Sequence, residues 1–159
     1  MLEKTVNFFF ERGSSVNICS IDISKAFDKV NRYILFEKLH KRNCPAQFIM
    51  ILQCWLSKSF TSVKWNGYLS NFVPLICGVR QGSILSPFLF AVYVDNVLCR
   101  LHSMDAGCHI NFVNFNSLMY ADDLLILSLS LRDLQLMVNI CSEELAKIDM
   151  KPNANNLHA

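Results

Sequence analysis

Two adjacent carboxylates, Asp122 and Asp123, stand in the middle of an otherwise apolar run, Leu118-Met-Tyr-Ala-Asp-Asp-Leu-Leu-Ile-Leu127. No other stretch of the 159 residues restricts the fold so tightly. Each arm reads as a short buried strand, which puts the acids near a tight turn between two core strands. Asp is a common turn former and tolerates unusual backbone angles, so an Asp-Asp turn alone has no catalytic meaning. Between core strands, however, two ionised carboxylates in a low-dielectric setting are unfavourable unless a cation lies between them. A divalent metal is the most economical such cation.

The length suits one domain with a real core, and residues 1–159 are read as a single domain without repeats, linkers or low-complexity tracts. Hydrophobic residues make up 52% of the chain and charged ones 18%, an apolar balance that fits a surface shaped to lie against further domains or a duplex. A net charge of +2 favours a polyanionic partner only weakly. The seven cysteines are scattered singly, with no C-x-x-C pair, which argues against a disulfide framework and against zinc. No signal-peptide pattern opens the chain and no run has the length of a membrane span. The expected setting is a reducing intracellular compartment, nucleus or cytoplasm, with no secretion and no membrane partner.

Along the chain, residues 2–12 read as a helix ending near Gly13. Val16–Ile23 reads as a largely buried strand with Asp22 at its end. A helix is expected from Ser24, with Val30, Ile34, Leu35 and Leu39 on one face, which makes helix capping the rival reading of Asp22 and Ser24. Pro45 opens another helix whose stripe, Phe48, Ile49, Leu52, Trp55 and Leu56, reads as core. Asn66-Gly67 marks a hairpin. The loop Gly78-Val-Arg-Gln-Gly-Ser-Ile-Leu-Ser-Pro87 precedes a helix to about His102, with Ser86 expected as its cap. Its glycines would let a planar or anionic ligand approach the backbone. His109–Val113 is expected to be one strand. Ser130-Leu-Arg-Asp133 opens a last helix with Leu134, Met137, Cys141, Leu145 and Ile148 on one face.

Three carboxylates thus stand out: Asp22 at a strand end, and Asp122 and Asp123 at a hairpin turn about 100 residues later. If these strands share a sheet, their tips can converge. Convergent acids can hold two divalent ions roughly 3.5–4 Å apart, the arrangement used for in-line phosphoryl transfer. Mg²⁺ suits an all-oxygen site, with Mn²⁺ as a possible substitute.

Asp22-Ile-Ser-Lys-Ala-Phe-Asp28, the Gly78–Pro87 loop, Gly107-Cys-His-Ile110 and Tyr120-Ala-Asp-Asp123, in that order, resemble the reverse transcriptases of non-LTR (LINE-type) retrotransposons. The resemblance implies an α+β fold, an antiparallel polymerase palm sheet of ferredoxin/RRM-like type packed against helices. It implies RNA-templated addition of deoxynucleotides to a primer 3′-hydroxyl. The expected partners are an RNA template, a DNA primer, deoxynucleotide triphosphates and the fingers and thumb segments of a longer polyprotein. Asp22, Asp122 and Asp123 match the catalytic, metal-holding carboxylates. Phe27 falls where the family places the side chain that excludes a ribose 2′-hydroxyl. Arg80, Gln81 and Gly82 match the segment against the nucleotide, while Tyr120 and Lys25 would touch primer or template. Asp28 follows the pattern too, although a first-turn helix acid is its stronger reading.

The chain also departs from that pattern. The expectation is that little of the fingers region fits before Val16 and that residues 1–159 hold neither the thumb nor an endonuclease. Asn155 and Asn156 stand where a short basic stretch ending in Lys is expected. A truncated palm fragment is therefore the expectation, and its rival is an inactive remnant that binds nucleic acid weakly through the basic helix around Lys29–Arg42.

Overall fold

The structure, a computed structural model, describes residues 2–111 and 113–153. In chain order the elements are α1 (Leu2–Phe10), β1 (Asn17–Asp22), α2 (Arg32–Lys41), α3 (Ala46–Ser57), β2 (Phe60–Thr61), β3 (Lys64–Trp65) and β4 (Tyr68–Leu69). There follow β5 (Val73–Pro74), α4 (Ser86–His102), β6 (Cys108–Ile110), β7 (Val113–Phe115), β8 (Ser117–Tyr120), β9 (Asp123–Ser128) and α5 (Leu131–Ala146). This is a mixed helix-and-strand fold whose sheets are small and antiparallel. Two compact units result, Met1–Ala26 with Val94–Ala159, and Phe27–Tyr93. No helix among the described residues is long and apolar enough to cross a membrane.

The first unit is built on a three-stranded sheet in the order β1-β9-β8. Period-2 alternation gives it a face that is apolar apart from Ser117 and the Asn17–Ser128 pair at one end. Cys19, Ile21 and Ile23 of the first strand and its exit, with Leu124 and Ile126 of β9, are all buried. Against β1 and β9 lies α5, which buries Leu134, Met137, Cys141 and Leu145. Removing each such side chain from water contributes ~1.5–3 kcal/mol. The start of α5 follows the capping motif: the Ser130 hydroxyl accepts from the Asp133 N–H at 3.4 Å. A smaller cluster, Phe9, Cys108 and Leu127, covers the far end of the opposite sheet face, with Phe8, Ile18, Ile110 and Leu118 packed around it.

In the second unit α2 packs on α3, burying Leu35, Leu39, Ile49, Leu52 and Leu56 with Val79, Phe90 and Tyr93. Asn66 and Gly67, at φ 46° and 85°, make the expected two-residue turn between β3 and β4. All four short strands, β2 to β5, are exposed.

Of the stripe read as core on α3, Phe48 and Trp55 are exposed, at 40% and 39%, and only Ile49, Leu52 and Leu56 are buried. Three further sequence expectations need correction. The segment after Asp22 does not start a helix: residues 24–29 form turns and α2 begins at Arg32. Lys25 has φ 52°, which no right-handed helix accepts, and Asn31 takes the cap, its side chain accepting from the N–H groups of Tyr33 and Ile34. Neither Asp22 nor Ser24 is therefore a helix cap, and Asp28 is not a first-turn acid. His109–Val113 is not one strand, because Asn111 at φ 49° turns the chain and β6 pairs with β7 as a hairpin. The Ser86 hydroxyl donates to the Arg80 carbonyl at 2.6 Å, so this buried serine fastens the loop before α4.

All seven cysteines are free thiols. Cys19, Cys108 and Cys141 are buried, while Cys54, Cys77 and Cys99 are exposed. Burial pushes the Cys141 thiol up to about 12, and raises Cys19 and Cys108 as well. Alkylation of the folded chain near pH 8, followed by mass spectrometry, is expected to mark the three exposed thiols first. The buried three should react only in denaturant. Cys141 keeps its proton in the folded state after the unfolded chain has lost its own. Its contribution is thus complete below about pH 9 and falls as pH rises toward 12.

Candidate active site

All three acids lie in the first unit, Asp22 and Asp123 at strand ends and Asp122 in the turn, and pairing register decides how the first two meet. β1 runs antiparallel to β9 with Asp22 directly opposite Asp123. β9 in turn pairs β8, placing Tyr120 opposite Asp123 and closing a two-residue turn, Ala121-Asp122. Directly paired residues project to the same side of a sheet, with Cβ atoms roughly 4.5–5.5 Å apart. Asp22 and Asp123 therefore share a face with Ser20, Leu125, Leu118 and Tyr120, away from the face that packs on α5. Tyr120 is 85% exposed and Asp123 is exposed too. A hollow of ≈ 450 Å³ opens beside them, lined by Ser20, Leu118, Met119, Tyr120, Asp123 and Leu125.

Asp122 belongs to the turn. Its carbonyl accepts from the Ile23 N–H at 3.2 Å, which extends the β1 ladder past Asp22. Ala121 sits at φ 52°, a left-handed conformation that costs a non-glycine residue of order 1 kcal/mol or more and concentrates at functional sites. Among the described residues no three His, Cys, Asp or Glu side chains form a group able to hold a metal ion.

The free edge of β1 is covered at the Asp22 end. Ile23 bridges Pro152, the Ser24 N–H donates to the Lys151 carbonyl at 3.1 Å, and the Asn153 N–H donates to the Asp22 carbonyl at 2.7 Å. The Asn153 amide also donates to Asp22 Oδ2 at 3.0 Å. Asn153 thereby orients the carboxylate, a role that sequence reading missed because it depends on a chain crossing. Asn155 and Asn156 lie outside the described residues. Lys25 is exposed at φ 52°, and among the described residues it has no partner that assigns it a task.

The other site candidates, Phe27, Arg80, Gln81 and Gly82, lie in the second unit, where the loop after Cys77 is laced to the segment after Ala26. The Val79 N–H donates to the Phe27 carbonyl and the Gly78 N–H to the Val30 carbonyl, both at 2.8 Å. Half-buried Phe27 stacks on Phe90 of α4, ring centroids 5.1 Å apart, while Arg80, Gln81 and Gly82 are exposed. Gly78 has φ +80°, and a Cβ there would stand 2.7 Å from the Asp28 carbonyl oxygen. Gly82, at φ +76°, faces open space. Gly78→Ala is accordingly expected to lose well over about 1 kcal/mol of stability in urea unfolding, and Gly82→Ala about 1 kcal/mol or less.

A family model described as reverse transcriptase (RNA-dependent DNA polymerase) matches residues 2–156. The chain belongs to the reverse transcriptase family. Among its relatives, the Pol polyprotein of the type-2 retrotransposable element R2DM from Drosophila melanogaster is 31% identical over 142 residues. That match covers 89% of this chain and 13% of the polyprotein. The RNA-directed DNA polymerase from the mobile element jockey, also of Drosophila melanogaster, is 32% identical over 99 residues, 60% of this chain and 11% of that protein. The R2 and jockey relatives place the chain with the non-LTR group that its motifs resemble, and it spans a small part of their length. Telomerase from Candida albicans, solved with a fragment of telomeric RNA, shares the fold at a TM-score of 0.72 and 15% identity. The alignment covers 99% of this chain and 30% of that one.

Proposed function

We propose that this reverse-transcriptase chain supplies the palm of an RNA-directed DNA polymerase, with Asp22, Asp122 and Asp123 as its catalytic carboxylates. The observation that carries the reading is the register of Asp22 against Asp123 on an open sheet face. Like charges directly opposite each other are unfavourable in a sheet, and a function that needs both is the economical reason for the pairing. The donor set also fits a divalent cation: carboxylate oxygens alone, the preference of Mg²⁺ and of Mn²⁺. Asp22 and Asp123 would hold the ions, with Asp122 from the adjoining turn. Bound there, they would lower the pKa of the primer 3′-hydroxyl and neutralise charge on the leaving pyrophosphate.

The chain's own groups do the positioning. Asn153 keeps Asp22 oriented from the covered edge, so that carboxylate loses little rotamer freedom on binding. Tyr120, beside Asp123, offers an exposed ring for the primer terminus. In the second unit Phe27, locked against Phe90, is the wall that rejects a ribose 2′-hydroxyl. Arg80 and Gln81 are free to meet the nucleotide and template, and Gly82 lets them come close. Lys25 contributes at most a phosphate contact.

The test is Mg²⁺-dependent extension of a DNA primer on an RNA template by the full chain, set beside Asp122→Asn. Extension by the parent that disappears in the variant supports the reading. A folded parent that extends no primer in Mg²⁺ or Mn²⁺ rejects it in favour of an inactive remnant.

A further inference from the structure

Residues 63–77 are exposed without exception. Eight of them are large apolar side chains, among them Trp65, Tyr68 and Phe72 at 80%, 81% and 75% exposure, and Lys64 is the one charge in the run. Single apolar side chains on a surface need no explanation, whereas a contiguous patch marks a contact. The polymerase reading makes no use of this segment.

The segment belongs to one long ribbon. β2 pairs β5, β3 pairs β4, and the Asn66-Gly67 turn closes its tip. Trp65 and Tyr68, directly opposite each other, share one face with Val63, while Lys64 and Leu69 stand on the other. Both faces are therefore bare, and a two-stranded hairpin exposed in this way is marginal in water. Its edges are open as well. Trp65 and Tyr68 close a two-residue turn, and the Ser70 N–H donates to the Val63 carbonyl at 2.9 Å. The pair between them, Lys64 and Leu69, accordingly turns its backbone N–H and C=O groups outward. An outward row of this kind is a template for another strand. The β3 side carries Lys64, a residue type that blunts edges, and the β4 side carries no charge. Pro74, without an N–H, ends the usable edge.

We propose that β4 is a self-complementary interface, through which two copies of this chain pair edge to edge about a two-fold axis and join β3 and β4 of each into one four-stranded sheet. A strand laid antiparallel against itself meets its own hydrogen-bonding pattern, which is what a two-fold axis demands. Pairing through β4 also keeps the two Lys64 side chains on the outer edges, whereas pairing through β3 would bring them together. The area agrees. A buried aromatic side chain covers roughly 150–250 Å², so the exposed fractions of Trp65, Tyr68 and Phe72 offer roughly 350–600 Å² per copy. The aliphatic side chains around them carry this toward the ~800 Å² that each partner of a stable interface contributes. A partner of another sequence would need an equally uncharged strand face, and this chain already has one. Nucleic acid, with its phosphates, finds a single cation along residues 63–77. The pairing uses none of the proposed catalytic groups and does not depend on primer extension.

The test is sedimentation velocity of the full chain, without metal or nucleic acid, from about 1 µM to about 100 µM, over which the species is expected to shift from one chain to two. Tyr68→Lys and Phe72→Lys each place like charges from both copies in the contact and should raise the dimer dissociation constant about ten-fold or more. Met50→Lys, the same kind of change at an exposed apolar residue of α3, should leave it alone. All three positions are exposed, and circular dichroism of each variant checks that it is folded. The chain has two tryptophans, so Trp55→Phe leaves Trp65 as the sole indole, and its emission should shift to the blue as the chain dimerises. Asp122→Asn should dimerise like the parent, so loss of extension with pairing intact leaves the interface standing. A single-chain species at about 100 µM overturns the inference and gives the ribbon to a different protein. So does mass that grows past two copies, a dimer weakened equally by Met50→Lys and Tyr68→Lys, or a dimer in which Trp65 emission is unchanged.

Discussion

Asp123→Asn is expected to lower Mg²⁺-dependent primer extension by more than about 100-fold while leaving the chain folded and slightly more stable. The two halves of that expectation have one cause. Asp123 stands directly opposite Asp22 in the ladder, and both project to the open face. Without a cation, opposed like charges in a sheet cost ~0.2–1 kcal/mol, so removing one of them relieves the folded state. For activity the sign reverses. Outer groups that merely orient a metal ligand are worth ~10–100-fold, and a ligand itself is worth more. Asp22→Asn should behave alike in activity, but with a smaller gain in stability, because the Asn153 amide that donates to Asp22 Oδ2 loses an ionised acceptor. Thermal unfolding without metal and initial extension rates on the same preparations measure both halves. A variant that is destabilised by more than ~1 kcal/mol, or that retains a tenth of the parent rate, would show that the pair is structural.

What could be read from the sequence follows from where the information lies. The β8–β9 hairpin, the long β1 and the α5 face were legible because each carries its own pattern: alternation, a two-residue acidic turn, an S-x-x-D cap. That Asp22 and Asp123 become partners follows from two strands that each bury one face, since a one-residue slip would move every apolar side chain to the wrong side. The turns after Asp22 were misread because Val30, Ile34, Leu35 and Leu39 keep a helical spacing that hides the break at Asn31. Backbone conformation at Lys25 leaves no trace in residue type. Trp55 reads as core because an aromatic at a helical position looks the same whether its face packs on a neighbour or stays exposed. No composition step announces the boundary between the two compact units, since α4 runs through it.

The largest stability effect is expected at a residue that the sequence presents as an ordinary surface cation. Arg32, at the start of α2, donates from Nε to the Gly78 carbonyl at 3.0 Å and from Nη1 to the carbonyls of Leu56 at 2.8 Å and Leu75 at 2.7 Å. From Nη2 it donates to Cys77 at 3.3 Å. One side chain thus fastens the end of α3, the exit of β5 and the glycine loop, three segments with little sheet or helix pairing of their own. Burial pushes its guanidinium below the ordinary value, yet an arginine stays charged throughout the usable pH range. Arg32→Met keeps much of the stem and strands the carbonyls. Those of Leu75 and Cys77 face solvent and can turn to water, while those of Leu56 and Gly78 are partly buried. The Leu56 carbonyl keeps the Ser59 N–H at 3.2 Å, so the Gly78 carbonyl is the one left unmet, and the expected loss is about 1–3 kcal/mol out of the ~5–15 kcal/mol that holds a domain together. Arg32→Lys keeps the charge but lacks the planar fork, and should fall between parent and Met variant. Urea unfolding with the slope held common measures the series. A Met variant within ~0.5 kcal/mol of the parent would mean that the loop holds itself.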